Sequence, residues 1–251
     1  MRWTESHPTW LNRRILLCIL TGFSSGLPLY VLISLVTAWL RESGIDLKAI
    51  GLLALVQFPY IWKFAWAPLC DRFGSRYGRR RTWMLLSQLA LLASIPAFGW
   101  LSPAESLQPV VWLAIGVAFF SATQDIAIDA FRRELLKDAE MGLGNVVHVN
   151  AYKIASLIPG ALSLVLADHL SWPMVFSITA LFMLPGLGMT FLVKEPMIPE
   201  DAPKTLKQAI LEPFEEFIQR KGWVNALLIL AFIFFYKLGD SMATALATPF
   251  Y

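Results

Sequence analysis

Six ionisable residues interrupt long apolar stretches of this chain: Lys63, Asp125, Asp129, Lys153, Lys237 and Asp240. Moving one such group into a bilayer costs about 2.5–3.5 kcal/mol on insertion scales, so each needs a partner or a function. A carboxyl group held away from water favours its protonated form and can carry a proton, whereas a lysine can hold an anionic substrate by its charge. We therefore treat these residues as candidate proton- and substrate-binding groups.

Three of these residues are expected at the same depth. With a rise of about 1.5 Å per residue, Lys63, Asp125 and Lys153 each lie on the order of 10 Å from the inner end of an apolar span. Equal depth on neighbouring helices predicts an internal cluster of two lysines and one carboxylate. Gln124 and Asn150 can supply further hydrogen bonds to this cluster, and they are counted among the candidate substrate- or proton-binding residues.

Lys237 and Asp240 lie deeper, about 21 and 25 Å from the inner start of a seventh apolar stretch, and their spacing allows a pair within one helix. The hypothesis is that Asp125, or Asp240, carries a proton. Asp129 shares a helix face with Asp125 but is shallower, so it is interpreted as a gate or a loop anchor. The alternative for each group is a buried ion pair that positions helices and touches no substrate.

The elements that must position these groups are membrane helices. Hydrophobic residues make up 57% of the chain and charged residues only 16%, against roughly 25% charged residues in soluble domains. A membrane helix needs about 20 apolar residues. Six such windows are predicted at 15–40, 49–70, 83–101, 110–131, 147–167 and 172–193, and a seventh begins at 223. The sequence thus predicts an all-α membrane protein with a six-helix bundle over 1–193 and a cytoplasmic linker with an amphipathic helix over 194–222.

Residues 67–81, here called the basic connector, join the second and third spans. Arginines dominate this short segment, and a basic loop between two membrane spans is typical of the cytoplasmic side. Most other lysines and arginines between spans fall on the same side, which predicts a cytoplasmic N-terminus. Together with Asp129, the candidate gating residues are Asp71, Arg72, Gly74, Arg79, Arg80 and Arg81.

The sequence lacks motifs typical of enzymes and of nucleic-acid-binding proteins. The three histidines are scattered, and the sequence contains no HExxH, GxSxG or phosphate-binding loop. We therefore expect no enzyme activity, no cofactor and no metal site. The basic residues form no continuous face, so no nucleic-acid partner is expected.

The basic connector resembles the loop between the second and third helices of the major facilitator superfamily, with its pattern G-x-L-x-D-R-x-G-R-R. Ala67 stands in place of the first glycine, and three residues, 75–77, intervene before the arginines. Four further motifs resemble the AmpG family of muropeptide permeases: FSSGLPL at 23–29, KFAWAPLCDR at 63–72, SATQDIAIDA at 121–130 and YKLGD at 236–240.

This resemblance implies proton-driven import of anhydro-muropeptides from periplasm to cytoplasm across the bacterial inner membrane. It also implies roles in peptidoglycan recycling and β-lactamase induction, and a gating role for the basic connector. Members have two six-helix halves, so residues 223–251 are expected to be the first helix of an incomplete second bundle. The remainder would be a missing second half or a second copy of the chain.

Two other functions stay open. Related acetyl-CoA transporters share the QDIAID-like segment, so the substrate could be another anionic metabolite such as acetyl-CoA or a sugar conjugate. The second alternative is a membrane scaffold or an inert fragment without transport activity.

Overall fold

The computed structural model describes residues 12–75, 78–195, 215–220 and 222–247, with the backbone alone at 52, 54, 234 and 237–247. The chain divides into two compact units, Met1–Glu200 and Asp201–Tyr251. The helices of the first unit are α1 (Arg13–Glu42), α2 (Leu47–Ala65), α3 (Ala67–Arg72), α4 (Arg79–Trp100), α5 (Gln108–Leu135), α6 (Asp138–Ala167) and α7 (Trp172–Leu192). No strand occurs among the described residues. The predicted all-α class is confirmed.

Six of these helices are long and apolar enough to cross a membrane, namely α1, α2 and α4 to α7. Two ends differ from the predicted windows by five residues or more. The second window runs through Pro68 to residue 70, but Pro68 occupies the first turn of the separate helix α3, where a proline is tolerated. The fifth window starts at 147, whereas α6 begins at Asp138 because its first turns are helical without being continuously apolar.

Both α1 and α6 switch from α-helical to π-helical geometry over part of their length. Each contains one π-helical segment, Val31–Leu35 in α1 and Ile158–Leu162 in α6. Pro28 lies inside α1 shortly before the first segment, and Pro159 lies within the first turn of the second. A proline removes one helical hydrogen bond, so bends are expected at these levels.

Glycines bring α1 and α6 into close contact. A Cβ atom at Gly22 would overlap the backbone carbonyl of His148, and one at Gly26 would overlap that of Tyr152. The two glycines are four residues apart, the spacing with which small residues let membrane helices approach each other. This contact fixes which faces of α1 and α6 meet.

Near the C-terminal end of α1, an aromatic cluster packs α1 against α4 and α7. Trp39 of α1 packs edge-on against Phe176 of α7, with ring centroids 5.4 Å apart. Phe98 of α4 lies 5.5 Å from Phe176. All three side chains are buried, and such contacts contribute about 0.5–1.5 kcal/mol per pair beyond area burial. The cluster therefore fixes the position of α1 beyond its π-helical segment.

The second unit contains α8 (Trp223–Ala247), a helix of 25 residues. Residues 215–220 are also helical, with an ion pair between Arg220 and Glu216 one turn apart. The rest of the predicted linker with its amphipathic helix, residues 196–214 and 221, lies outside the described residues, as does the end of the chain, 248–251. The assignment of α8 to a second bundle stays a prediction.

Candidate functional site

The carboxyl group of Asp125 lies where α5 meets α1 and α2. Asp125 is only 9% exposed. The hydroxyl of Ser25 on α1 donates a hydrogen bond to its Oδ1. Lys63 of α2 places its Nζ 3.9 Å from Oδ2, and the lysine side chain is 37% exposed. The Asp125 carboxylate therefore accepts one direct hydrogen bond, from Ser25, and has one loosely paired cation, Lys63, whose side chain is partly exposed.

Other titratable groups surround this pair. Tyr60 of α2 and Tyr152 of α6 both interact electrostatically with Asp125, and Asp129 does so from the next turn of α5. The ring of Tyr152 packs edge-on against Tyr30 of α1, with centroids 5.7 Å apart. Among the described residues, groups of α1, α2 and α5 act directly on the Asp125 carboxyl group.

Gln124, although adjacent to Asp125, bonds to the backbone of α1. It is fully buried, and its Nε2 donates to the carbonyl oxygen of Ser24 at 2.8 Å and to the hydroxyl of Ser24 at 3.0 Å. A second buried glutamine, Gln88 of α4, approaches the same hydroxyl at 3.4 Å. Gln124 therefore donates its hydrogen bonds to Ser24 of α1, and not to the charged cluster as predicted.

Lys153 and Asn150 lie in a separate, open groove of about 700 Å³ between α1, α5 and α6. Both are exposed, and Asn150 donates to the carbonyl of Val146 in its own helix at 2.7 Å. The predicted cluster is thus divided, since Lys63 meets Asp125 and Lys153 does not join them. The groove is also lined by Tyr30, Asp129, Arg132, Asn145, His148, Val149 and Tyr152.

The other predicted pair lies on α8. Lys237 and Asp240 both fall within this helix, three residues apart. Their side chains lie outside the part of the chain that the structure describes, so their pairing stays a prediction.

Buried ion pairs connect the basic connector to the end of α5. Arg80 pairs with Asp71 and, at 2.8 Å, with Glu134. Arg79 pairs with Glu134 at 3.1 Å and donates to the backbone carbonyl of Asp71 at 2.8 Å. The side chains of both arginines and of Glu134 are no more than 12% exposed. We call Asp71, Arg79, Arg80 and Glu134 the connector network.

Asp129, a gating candidate, makes no ion pair with the basic connector among the described residues. Asp129 instead pairs with Arg132 at 3.0 Å within α5. Glu134 makes the contact to Arg79, and the sequence reasoning missed it. The available signal was an acidic residue in the last turn of a membrane helix, on the same side as the basic connector.

Arg81 and Glu195 join α4 to α7. The Glu195 carboxylate accepts backbone N–H groups from Arg80 at 2.7 Å and Arg81 at 3.1 Å, at the start of α4. In return, the Arg81 guanidinium donates to the carbonyls of Thr190 and Phe191 at the end of α7, at 3.0 and 2.8 Å. Negative charge at a helix N-terminus and positive charge at a C-terminus are both stabilising.

The two remaining gating candidates have local contacts. A Cβ atom at Gly74 would come within 2.6 Å of the Arg79 Cα, so a larger residue would displace the start of α4. The Arg72 guanidinium lies over the Phe73 ring, 5.6 Å from its centroid, in a cation–π contact.

Replacing Glu134 by glutamine is expected to weaken the connector network and lower the free energy of unfolding by about 3–5 kcal/mol, because two buried guanidinium groups lose a shared counter-charge. The measurement is thermal unfolding of the purified protein in detergent. Glu105→Gln, at an exposed position between α4 and α5, is the matched control and should leave the transition unchanged. Equal transitions in the two variants would contradict this account of the network.

Comparison with known proteins shows a match to the Major Facilitator Superfamily over residues 18–251. The chain is 41% identical over 239 residues to the anhydromuropeptide permease of Escherichia coli K12, covering 94% of this chain and 48% of that protein. It is 51% identical over 242 residues to a Haemophilus influenzae protein whose name assigns no function, covering 95% of this chain and 57% of the relative. An AmpG protein of Rickettsia felis is 32% identical over 249 residues, covering 95% and 59%.

The chain spans about half the length of the curated relatives it matches. These matches confirm the resemblance predicted from the basic connector and the four motifs.

Proposed function

Because this chain belongs to the major facilitator superfamily, we propose that it forms half of a permease that imports anhydro-muropeptides, driven by the proton gradient. The observation that carries the proposal is its likeness to the Escherichia coli anhydromuropeptide permease, which extends over nearly the whole of this chain. The protein is a multi-pass membrane protein. Its location in the bacterial inner membrane and its cytoplasmic N-terminus are part of the proposal.

Asp125 is the proposed proton carrier. It is buried, its only close ionic partner among the described residues is Lys63, and that ammonium is 3.9 Å away. A carboxyl group in such a site can exchange a proton with a water-filled cavity without dismantling a tight ion pair. Ser25 can remain hydrogen-bonded to it in either charge state, because a hydroxyl both donates and accepts.

Lys63 couples the proton to the substrate in this proposal. When Asp125 is protonated, the partly exposed Lys63 ammonium loses its nearest counter-charge and becomes available to pair with another anion. An anionic group of the substrate would then replace the lost counter-charge of Lys63. Proton binding and anion binding therefore favour each other, and by thermodynamic linkage the effect is reciprocal.

The groove that contains Lys153 is the proposed place for the sugar and peptide parts of the substrate. Exposed Lys153 can pair with a carboxylate, and Asn150 and Asn145 offer amide groups for polar recognition. Binding sites in transporters with repeated halves lie at the interface between the halves. A second half, or a second copy of the chain, would close the other side of the groove. Lys237 and Asp240 of α8 remain candidate substrate- or proton-binding residues.

The test is uptake of labelled anhydro-muropeptide into right-side-out membrane vesicles that contain the protein. We expect accumulation when a proton gradient is imposed and a fall to equilibration when the gradient is collapsed. Vesicles without the protein are the control. Uptake of labelled acetyl-CoA or of a labelled sugar conjugate, without muropeptide uptake, would favour the alternative substrates. No gradient-dependent uptake of any of them would refute the proposal.

A further inference from the structure

A proline leaves one carbonyl of α1 without its helical partner. In an α-helix the carbonyl of residue i accepts the N–H of residue i+4, and proline has no N–H. Pro28 lies inside α1, so the carbonyl of Ser24 cannot receive its usual backbone donor. An unpaired carbonyl in the membrane interior is costly, and membrane helices tolerate proline where a neighbouring group pairs with the freed carbonyl.

Gln124 supplies that donor from α5. Its Nε2 lies 2.8 Å from the Ser24 carbonyl oxygen. A carbonyl only accepts hydrogen bonds, so the nitrogen and not the oxygen of the Gln124 amide must face it, which fixes the orientation of the amide. The bond crosses from one helix to another and replaces a bond that the sequence of α1 makes impossible.

The next residue of each helix makes the contact on which the proposed proton site depends. Ser24 and Ser25 are consecutive in α1, as Gln124 and Asp125 are in α5. The bond from Gln124 to Ser24 lies beside the bond from Ser25 to Asp125. Both cross the same interface, so the first sets the distance and rotation at which the second forms.

We infer that Gln124 is a positioning residue: its amide replaces the backbone donor that Pro28 lacks, and so holds the Ser25 hydroxyl against the Asp125 carboxyl group. This assigns Gln124 a role different from the substrate or proton binding predicted from the sequence. The inference rests on the proposed function only in treating Asp125 as the proton carrier.

The experiment uses the whole chain, purified in detergent without substrate, and records the infrared band of the Asp125 carboxyl group, assigned by its absence from Asp125→Asn. Gln124→Leu should shift this band as Ser25→Ala does. Pro28→Ala restores a backbone N–H at position 28, so adding it to Gln124→Leu should return the band to its original frequency. Because no transport is measured, failure of the proposed function leaves this result interpretable.

Gln88→Leu is the matched control. Gln88 is as buried as Gln124 and donates to the Ser24 hydroxyl, so its removal leaves the bond to the Ser24 carbonyl in place and the Asp125 band unmoved. Three results would overturn the inference: an unmoved band in Gln124→Leu, an equal shift in Gln88→Leu, or no recovery with Pro28→Ala. If Gln124→Leu alone does not fold, recovery of folded protein by Pro28→Ala supports the inference, and its absence overturns it.

Discussion

Replacing Asp125 by asparagine is expected to abolish gradient-driven accumulation of anhydro-muropeptide, to the level of vesicles without the protein, while the chain remains folded. Asparagine is nearly isosteric with aspartate, and its amide oxygen can still accept the Ser25 hydroxyl. It cannot release or take up a proton. The measurements are uptake under an imposed pH gradient and, separately, exchange of labelled for unlabelled substrate at equilibrium, which need not move a net proton.

Asp138→Asn is the control for this prediction. Asp138 lies at the start of α6, outside the groove, and it is exposed and pairs only with Arg133 among the described residues. Exposed pairs of this kind are worth about 0–1 kcal/mol, so accumulation should change by no more than a few fold. If Asp125→Asn accumulates substrate normally, Asp125 is not the carrier, and Asp240 becomes the residue to test.

The membrane helices were predictable because the bilayer imposes simple constraints. A span must be about 20 residues long and satisfy its own backbone hydrogen bonds, so apolar windows locate α1, α2 and α4 to α7. The windows mislocated a helix end where the helix and the apolar stretch of sequence do not end at the same residue. α6 continues beyond the apolar region to Asp138, and α2 stops at Ala65 although the apolar sequence continues.

Depth in the membrane was predictable, but rotation about a helix axis was not. The contact between Lys63 and Asp125 follows from their equal depth. Lys153 has the same expected depth, yet the residue before it, Tyr152, faces α1 at Gly26. A step of one residue turns the side chain by about 100°, which directs Lys153 toward the groove. This rotation depends on how α1 and α6 pack.

The partner of Arg79 was missed for the same reason. Asp129 and Glu134 are both near the C-terminal end of α5, but they lie on different faces of the helix. Only Glu134 faces Arg79. The role of Gln124 was hidden as well, because its acceptor is a backbone carbonyl on another helix, and no spacing within the sequence connects the two.

Replacing Gly22 by leucine is expected to lower the free energy of unfolding by about 3 kcal/mol or more. The added Cβ would overlap the backbone carbonyl of His148. That carbonyl belongs to a hydrogen-bonded turn of α6 and cannot rotate aside as a side chain can, so the helices must separate. Loss of folded protein on size-exclusion chromatography and a lower thermal transition in detergent are the measurements.

Gly116→Leu is the control that separates helix contact from the general effect of replacing glycine. Gly116 lies in α5, where an added Cβ meets nothing within 4 Å, and leucine has the higher helix propensity by somewhat less than about 1 kcal/mol. Gly116→Leu should therefore be neutral or slightly stabilising. Similar losses in both variants would mean that glycine is needed for flexibility and not for the approach of α1 to α6. If only Gly22→Leu is damaged, the separation of these helices should also disturb the Ser25 contact to Asp125, since α1 carries both residues on the same helical turn.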